Sequence, residues 1–296
     1  MKQLQQHSNI EFSLIVCTID RTNELEHLLQ SLTHQTIKNF EVIIIDQNPS
    51  GTLEGIIKSY LEILEINHIY SKKGLSLARN KGIEHAQGNY ICFPDDDCWY
   101  KPDTLKLALN LFNSNSKASL ITGKTVDQND NDSVSQFMIK QAEVNRHNYI
   151  KGGNSASLFV KKEVFDTIGR FDERMGLGAE TPFQSGEESD FILRALGKNL
   201  SILFYPQLTI HHNQISNAIT NKAIIRAKCY GAGYGALLKK HKFSKMYVLY
   251  KLFRPLTRAF LYLITFHFND SKYKYASATG MLYGYLLWSK YKPINK

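Results

Sequence analysis

Phe12 to Cys17, FSLIVC, is an unbroken apolar run of strand length, and Val42 to Ile45, VIII, is another. Runs without polar alternation suit strands buried on both faces, as in a parallel sheet. Between them Leu25, Leu28, Leu29 and Leu32 recur at three- and four-residue spacing, which predicts a helix over 23–33. The alternation continues. A helix is expected near Leu53 to Leu64, a strand NHIY ending at Tyr70, a helix from Leu75 to Ala86, and a strand YICF from Tyr90 to Phe93. This order predicts an α/β domain with a mostly parallel sheet and flanking helices. Farther on, a helix runs from Asp103 to about Phe112, SLITG (Ser119 to Gly123) reads as a strand, and DQNDND (Asp127 to Asp132) as a polar loop. The glycines of KGGNSASLFV lead into a strand and predict close approach to a ligand or to another strand. A long Gly-rich loop then ends at a helix from about Glu187, and SILFYPQLTIHH is a further strand region. From Asn217 onward the pattern is helical, and no internal repeat is visible.

Ligands of open α/β sheets bind beyond the carboxyl ends of the strands. Three polar clusters follow predicted strands: Thr18-Ile19-Asp20-Arg21, Asp46-Gln47-Asn48, and Asp95-Asp96-Asp97 within FPDDDCWYKPD. Adjacent carboxylates repel one another, so an ordered run of three needs a partner. A hard divalent cation, Mg²⁺ or Mn²⁺, takes oxygen ligands and suits them. The plain alternative is a solvated acidic turn with Asp103 capping the next helix. Arg79 stands among Leu75, Leu77, Ala78 and Ile83. It either meets an anion near the same sheet edge or snorkels from a surface helix. Glu187, Glu188 and Asp190 open a helix, where the dipole favours acids, and Asp190 with Arg194 makes an i,i+4 pair. The Gly-rich loop before them is also a way to present a general base. His211 and His212 follow the last strand, where an imidazole can join a metal or phosphate site.

Composition narrows the class. The 296 residues are 43% hydrophobic and 21% charged, as in a globular chain with a core. The four cysteines, Cys17, Cys92, Cys98 and Cys229, form no C-x-x-C pair, which argues against a disulfide framework or zinc site and fits a reducing cytoplasm. The opening MKQLQQHSNIEF has no apolar stretch of leader length. The net charge of +9 is uneven: from Lys239 onward 12 Lys and Arg face one acid, Asp270, leaving 24 bases against 26 acids before it. Basic tails bind polyanions, nucleic acid or an anionic membrane surface. MYVLYKLFRPLTRAFLYLITFHF, within this tail, is interrupted by Lys251, Arg254, Pro255 and Arg258, so a spanning helix is not expected. Cations among Phe, Tyr and Leu fit a helix lying in a membrane interface. The alternative is a helical subdomain packing on the α/β domain or on a second copy.

These segments, in this order, resemble the GT-A-fold inverting glycosyltransferases of family 2, which make bacterial polysaccharides and glycolipids. SLIVCTIDR is similar to the opening strand and its P-T-Y-N-R loop, FEVIIIDQNPSG to the second strand with its nucleoside-binding Asp, GLSLARNKGI to G-x-S-x-A-R-N-x-G, and FPDDDCWYKPD to the D-x-D region. GGNSASLFVKKEVFDTIGRFDE and GEESDFILRAL resemble the acceptor half, so the resemblance covers about 11–212. It implies a GT-A domain over 1–215, with a nucleotide-sugar half at about 11–103 and an acceptor half at about 104–215, and a helical region over 216–296.

The resemblance also implies roles. Thr18, Asp20 and Arg21 line the nucleotide pocket, Asp46 bonds the base, and Arg79 sits by the diphosphate. Gly74, Asp95, Asp96 and Asn154 belong to the donor-binding set. Asp97, Asp95 and His211 are the metal set, for Mn²⁺ or Mg²⁺, with Asp97 the direct ligand. Glu188 takes the position of the family's catalytic Asp, one methylene longer, with Glu187 as its rival. Cys17, Ile19 and Asp20 replace the Pro, Tyr and Asn of the opening loop. The implied reaction moves a sugar from a nucleoside diphosphate sugar, a uridine diphosphate sugar first, to a saccharide or lipid-linked acceptor at the inner face of the cytoplasmic membrane. No nucleic-acid partner is expected, and a homo-oligomer is allowed. On this resemblance CYGAGYGALLKKH (Cys229 to His241) is expected over the acceptor cleft. Three other readings remain: a metal-dependent nucleotidyltransferase, which needs a Gly-rich basic phosphate loop that CTIDRTNE does not supply; a nucleic-acid binder acting through the tail, which leaves the three strand-end clusters unexplained; and an inactive, scaffold-like relative, against which the full acidic set argues.

Overall fold

The structure, a computed structural model, describes residues 10–214 and 218–291. Most of the opening segment read for a leader, and Asn217, lie outside the described residues. The chain divides into two compact units, one of residues 1–72, 78–170 and 194–215, the other of residues 73–77, 171–193 and 216–296. The expectation drew one boundary at residue 215. Compact packing adds two earlier stretches to the helical unit.

The first unit holds a sheet whose strands are β1 (Phe12–Thr18), β2 (Phe40–Asp46), β3 (Glu65–Tyr70), β4 (Tyr90–Cys92), β5 (Cys98–Trp99), β6 (Ala118–Val126), β7 (Ala142–Glu143), β8 (Leu158–Lys161) and β9 (Ser201–His212). Their order is β3-β2-β1-β4-β8-β6-β9-β5, with β7 also on β9. The long pairings are parallel: β1 runs beside β2 from Phe12 opposite Phe40 to Thr18 opposite Asp46, and β6 lies beside β9. The antiparallel pairings, around β8 and at β5 and β7, span two or three residues each. The predicted mostly parallel sheet is therefore present, with short antiparallel joints that residue pattern alone does not reveal.

Helix α1 (Asn23–Thr33) shows why the pattern works. Leu25, Leu28, Leu29 and Leu32 are fully buried and join one core with Phe12, Leu14, Val16, Val42 and Ile44. Burying each such side chain is worth about 1.5–3 kcal/mol. Helix α2 (Glu54–Lys58) stops well short of Leu64. The amides of Ser59 and Tyr60 bond three residues back instead of four, and Leu61 and Ile63 face solvent, so no apolar face holds a longer helix. Helices α3 (Leu75–His85) and α4 (Thr104–Ser114) lie where expected, and α5 (Val164–Ile168) is too short to show a period. The glycine before β8 approaches a strand: a Cβ on Gly153, at φ +113°, would sit 2.7 Å from the Thr122 side chain. Asp103 stands at the cap position of α4, but its carboxylate accepts from the Thr36 hydroxyl instead of a helix amide.

Helix α6 (Glu187–Gly197) begins in the second unit. That unit is otherwise built on α7 (Asn221–Lys240), α8 (Lys245–Ile264) and α9 (Phe268–Leu287). Helices α7 and α9 touch backbone to backbone. A Cβ on Gly235 would lie 1.9 Å from the Met281 carbonyl, and one on Gly284 would lie 1.9 Å from that of Ala232. Of the glycines of CYGAGYGALL, expected over an acceptor cleft, Gly231 and Gly235 serve this close crossing, and Gly233 meets the Ser185 backbone. Leu238, Val248 and Met281 form the small core beside it, joined by Tyr234, Tyr247 and Leu252. Among the described residues no helix is long and apolar enough to cross a membrane.

Candidate active site

The three polar clusters meet at one edge of the first unit. β1 ends at Thr18 opposite Asp46 of β2, and Cys17 bridges to Asp95, so the aspartate run starts where β1 stops. Asp20 adopts a left-handed φ of 59°, which Asp tolerates better than most residues. Its amide donates to Asn48 Oδ1 at 2.6 Å and ties the first loop to the second. Asp46 is fully buried. Its Oδ1 accepts from the amide and side chain of Asn48, and its Oδ2 lies 2.9 Å from His68 Nε2.

The aspartates are met by three cationic or ionisable groups. Arg21 Nη1 lies 2.6 Å from both Asp96 Oδ1 and Asp97 Oδ2. Arg79 is 2% exposed, and its Nη2 lies 3.4 Å from Asp95 Oδ1 with the guanidinium over the Phe93 ring. The snorkelling alternative for Arg79 therefore fails. His212 Nε2 lies 3.3 Å from Asp97 Oδ1.

Their electrostatics differ. Loss of water, reinforced by Asp97 and Asp96 against the pull of Arg79, pushes the Asp95 carboxyl up to about 6. Some 38% of its side chain is open, so solvent softens this effect. Burial also raises Asp97, but the hydrogen bond and charge of His212, then Arg21, outweigh it and hold the carboxyl below its ordinary range. Asp96 stays raised by burial in spite of Arg21. Burial disfavours charge on His212, yet Asp97 more than offsets it and raises the imidazole.

The donor set fits a hard cation. One ligand atom each from Asp95, Asp97 and Cys98 lie within 4.8 Å of one another. The Cys98 thiol is pushed well up by burial and then by the aspartates, so it stays protonated. That leaves two carboxylates, the set with which Mg²⁺ or Mn²⁺ is held beside substrate phosphates.

His211, expected in the metal set, is turned away. Strand alternation sends consecutive side chains to opposite faces. β5 pairs Cys98 with His212 and Trp99 with His211. His211 therefore stacks on Trp99 at 5.2 Å between centroids, with Nδ1 3.2 Å from the Asp127 carbonyl, while His212 faces Asp97. Asn154 also serves the fold. Its Oδ1 accepts from the Ser157 amide and its Nδ2 donates to Thr125. Sequence reasoning missed His68, the bonds by which Asn48 holds Asp46, and the preference for His212. Only the two-residue β5 register identifies the last, and a strand that short leaves no periodic signal.

Gly74, Glu187 and Glu188 belong to the second unit. Gly74, at φ +141°, precedes Leu75, whose amide donates to the Leu177 carbonyl. Ser76 Oγ donates to the Met175 carbonyl at 2.6 Å. Glu187 is buried, its carboxyl beside Gly176, and Glu188 is half-buried. Asp190 is held by Lys240 Nζ at 2.7 Å and His241 Nε2 at 2.8 Å, partners that no helical spacing foretells.

The chain is similar to known proteins. The chain is 30% identical over 185 residues to GgaB, a minor teichoic acid biosynthesis protein of Bacillus subtilis, a match covering 58% of this chain and 20% of that one. It thus spans a fifth of that relative's length. Staphylococcus aureus TarS 1-349 in complex with UDP-GlcNAc superposes with a TM-score of 0.59 at 17% identity, over 92% of this chain and 90% of that one. The mannosyltransferase PcManGT of Pyrobaculum calidifontis, in complex with GDP-Man and Mn²⁺, gives 0.60 at 14% identity, over 92% and 87%. The fold is GT-A. With the family description "Glycosyl transferase family 2" matching residues 13–169, more than half the chain, this protein belongs to that family.

Proposed function

We propose that this protein moves a sugar from a nucleoside diphosphate sugar, a uridine diphosphate sugar first, to a hydroxyl of a saccharide or lipid-linked saccharide, with inversion, in surface polysaccharide or glycolipid synthesis. The observation that carries this reading is the Asp95–Asp97 pair at a parallel-sheet edge, flanked by Arg79 buried in the same unit. A relative concerned with teichoic acid and fold neighbours that bind UDP-GlcNAc or GDP-Man with Mn²⁺ support it. Family membership leaves the nucleotidyltransferase alternative without support.

In the proposed reaction Asp95 and Asp97 hold Mn²⁺ or Mg²⁺. That ion supplies charge neutralisation for the leaving diphosphate. Arg79 and Arg21 add positive charge at the same edge, where charge grows as the bond to the anomeric carbon breaks. Thr18, Asp20 and Asp46 shape the nucleoside pocket, and His68 and Asn48 fix the Asp46 carboxylate. Glu188 takes the proton of the acceptor hydroxyl, with Glu187 the rival. The acceptor oxygen attacks the anomeric carbon from the face opposite the diphosphate, and the electron pair of the broken C–O bond departs with the nucleoside diphosphate. A positioned base contributes about 10²–10⁴-fold. The acceptor is presented at a membrane surface, to which the basic helical unit attaches the protein peripherally.

Calorimetric titration of uridine diphosphate, with Mn²⁺ and with chelator, tests the donor site. Wild type binds with Mn²⁺, and chelator or Asp97→Ala weakens binding about tenfold or more, as expected when a cation and its carboxylate are removed. Binding indifferent to both removes the cation role of these aspartates.

A further inference from the structure

Four cationic side chains converge on one cleft of the helical unit. Lys251, Arg254 and Arg258 of α8 and Lys274 of α9 line it, with Gly231 of α7 on the remaining side, around a cavity of about 370 Å³. Lys251, Arg254 and Arg258 recur at three- and four-residue spacing, so they share one face of α8. Like charges on one face repel. Lys274 records the crowding: burial first, then Arg258 and Arg254, lower it below the ordinary lysine range, although Asp270 pulls the other way. Asp270 is the only acid from residue 239 onward, and among the described residues no carboxylate forms an ion pair with any of the four cations. Lys251 lies over the Tyr247 ring and Lys274 over the Tyr273 ring, contacts that leave their charge unneutralised. A cluster of cations without carboxylate ion pairs attracts an external anion, and guanidinium groups match phosphate oxygens in pairs.

The same helix exposes an apolar stripe. Met246, Tyr250, Phe253, Phe260, Leu261 and Ile264 are 54–77% exposed and follow helical spacing. The cationic face lies beside this stripe, between it and the face that packs on the rest of the unit through Val248 and Ala259. An apolar stripe edged by Lys and Arg suits an anionic lipid surface, where acyl chains meet the stripe and phosphates meet the cations.

We propose that this cleft binds the phosphate of an anionic lipid headgroup through Lys251, Arg254, Arg258 and Lys274, with the α8 stripe seated in the interface. The proposal rests on the membrane attachment stated above and is independent of the donor chemistry. A second copy of the chain is the competing occupant of the stripe. Charge complementarity disfavours it, because two such cationic faces repel.

Co-sedimentation of the full chain with phosphatidylcholine vesicles, with and without phosphatidylglycerol, tests this. Wild type binds the anionic vesicles about tenfold or more tightly than neutral ones, since each cation near the surface contributes. Arg254→Gln with Arg258→Gln abolishes most of that preference. Lys222→Gln with Lys290→Gln, which removes the same charge at exposed sites on the same unit, keeps it. Inorganic pyrophosphate, added to the vesicles, displaces wild type. Equal loss in both double variants means net charge alone and overturns the site. Equal binding to neutral vesicles overturns it too, as does a dimer in sedimentation velocity that buries the stripe. Pyrophosphate binding without vesicle binding keeps the phosphate site and overturns the lipid source. Uridine diphosphate titration of the same samples reports folding, and its failure in wild type bears on the donor reading alone.

Discussion

Charge is handled in opposite ways at the aspartate edge of the first unit and in the cleft of the second. At the edge every aspartate of the run has a partner: Asp96 and Asp97 have Arg21, Asp97 also has His212, and Asp95 has Arg79. In the cleft four cations have none within ion-pair distance among the described residues. The first arrangement is preorganised: its charges are fixed in place, and a ligand needs only to exchange for some of them. The second holds repulsion that Asp270 offsets only at Lys274 and that an outside anion would relieve further. Clustered charge is therefore informative in proportion to what the chain leaves unpaired, and the same total of ionisable groups means different chemistry in the two places.

The sharpest break in this comparison comes from deleting one arginine on each side. Arg79→Leu removes the buried partner of Asp95 and leaves that carboxylate beside the like charges of Asp96 and Asp97. Breaking a buried pair costs about 3–5 kcal/mol, and the open face of Asp95 brings the expected loss toward the lower end. Arg254→Gln should leave stability within about 0.5 kcal/mol of wild type, because an exposed cation among like charges has little to lose. Urea unfolding of the two variants decides it. Comparable losses would mean that the cleft cations have partners after all.

Much of the first unit was legible because burial writes a period into the chain. The runs at β1 and β2 and the leucines of α1 are what a sheet covered by helices requires, and they survive in the structure with their boundaries almost intact. What escaped was set by pairing. β5 and β7 have two residues each, too few for any period, yet β5 decides which histidine faces Asp97. Leu61 and Ile63 continued an apolar pattern that no neighbour covers, so α2 ends early. In the second unit, the glycines of α7 are expected over an acceptor cleft. The use of Gly231 and Gly235 is visible only against the carbonyls of α9, about 50 residues away along the chain.

A pH titration sharpens the contrast with opposite signs. In the second unit Asp172 is crowded by burial, which raises it, but Arg174 and Lys240 outweigh that and hold it at about 2. A depressed carboxyl contributes stability above its unfolded value near 4 and loses it as pH falls toward 2. Asp172→Asn should therefore cost on the order of 2 kcal/mol at neutral pH and progressively less below pH 4. Asp95, raised to about 6, runs the other way. Its contribution is present below pH 4 and is lost as pH rises through 6, so wild type should lose stability relative to Asp95→Asn across that window. The amplitude is smaller than for Asp172, since part of Asp95 is hydrated. Parallel pH–stability curves for wild type and both variants would contradict the assigned partners.

The finest distinction is between two adjacent histidines. His212 holds Asp97 in its charged form, so His212→Asn should let that carboxyl rise and weaken Mn²⁺-dependent uridine diphosphate binding by about tenfold or more, the size of one charged hydrogen bond of about 1.5–3 kcal/mol. The loss should shrink as pH rises, because a deprotonated Asp97 no longer needs the imidazole to stay charged. His211→Asn removes a ring stacked on Trp99 and a contact to the Asp127 carbonyl, both on the opposite face of β9. It should lower stability by about 1 kcal/mol and leave donor affinity within about twofold. Calorimetric titrations of the pair at two pH values separate the cases. A larger, pH-dependent loss in the His211 variant would mean that β9 presents the other face to the donor, and the two-residue register at Cys98 and Trp99 would then be misassigned.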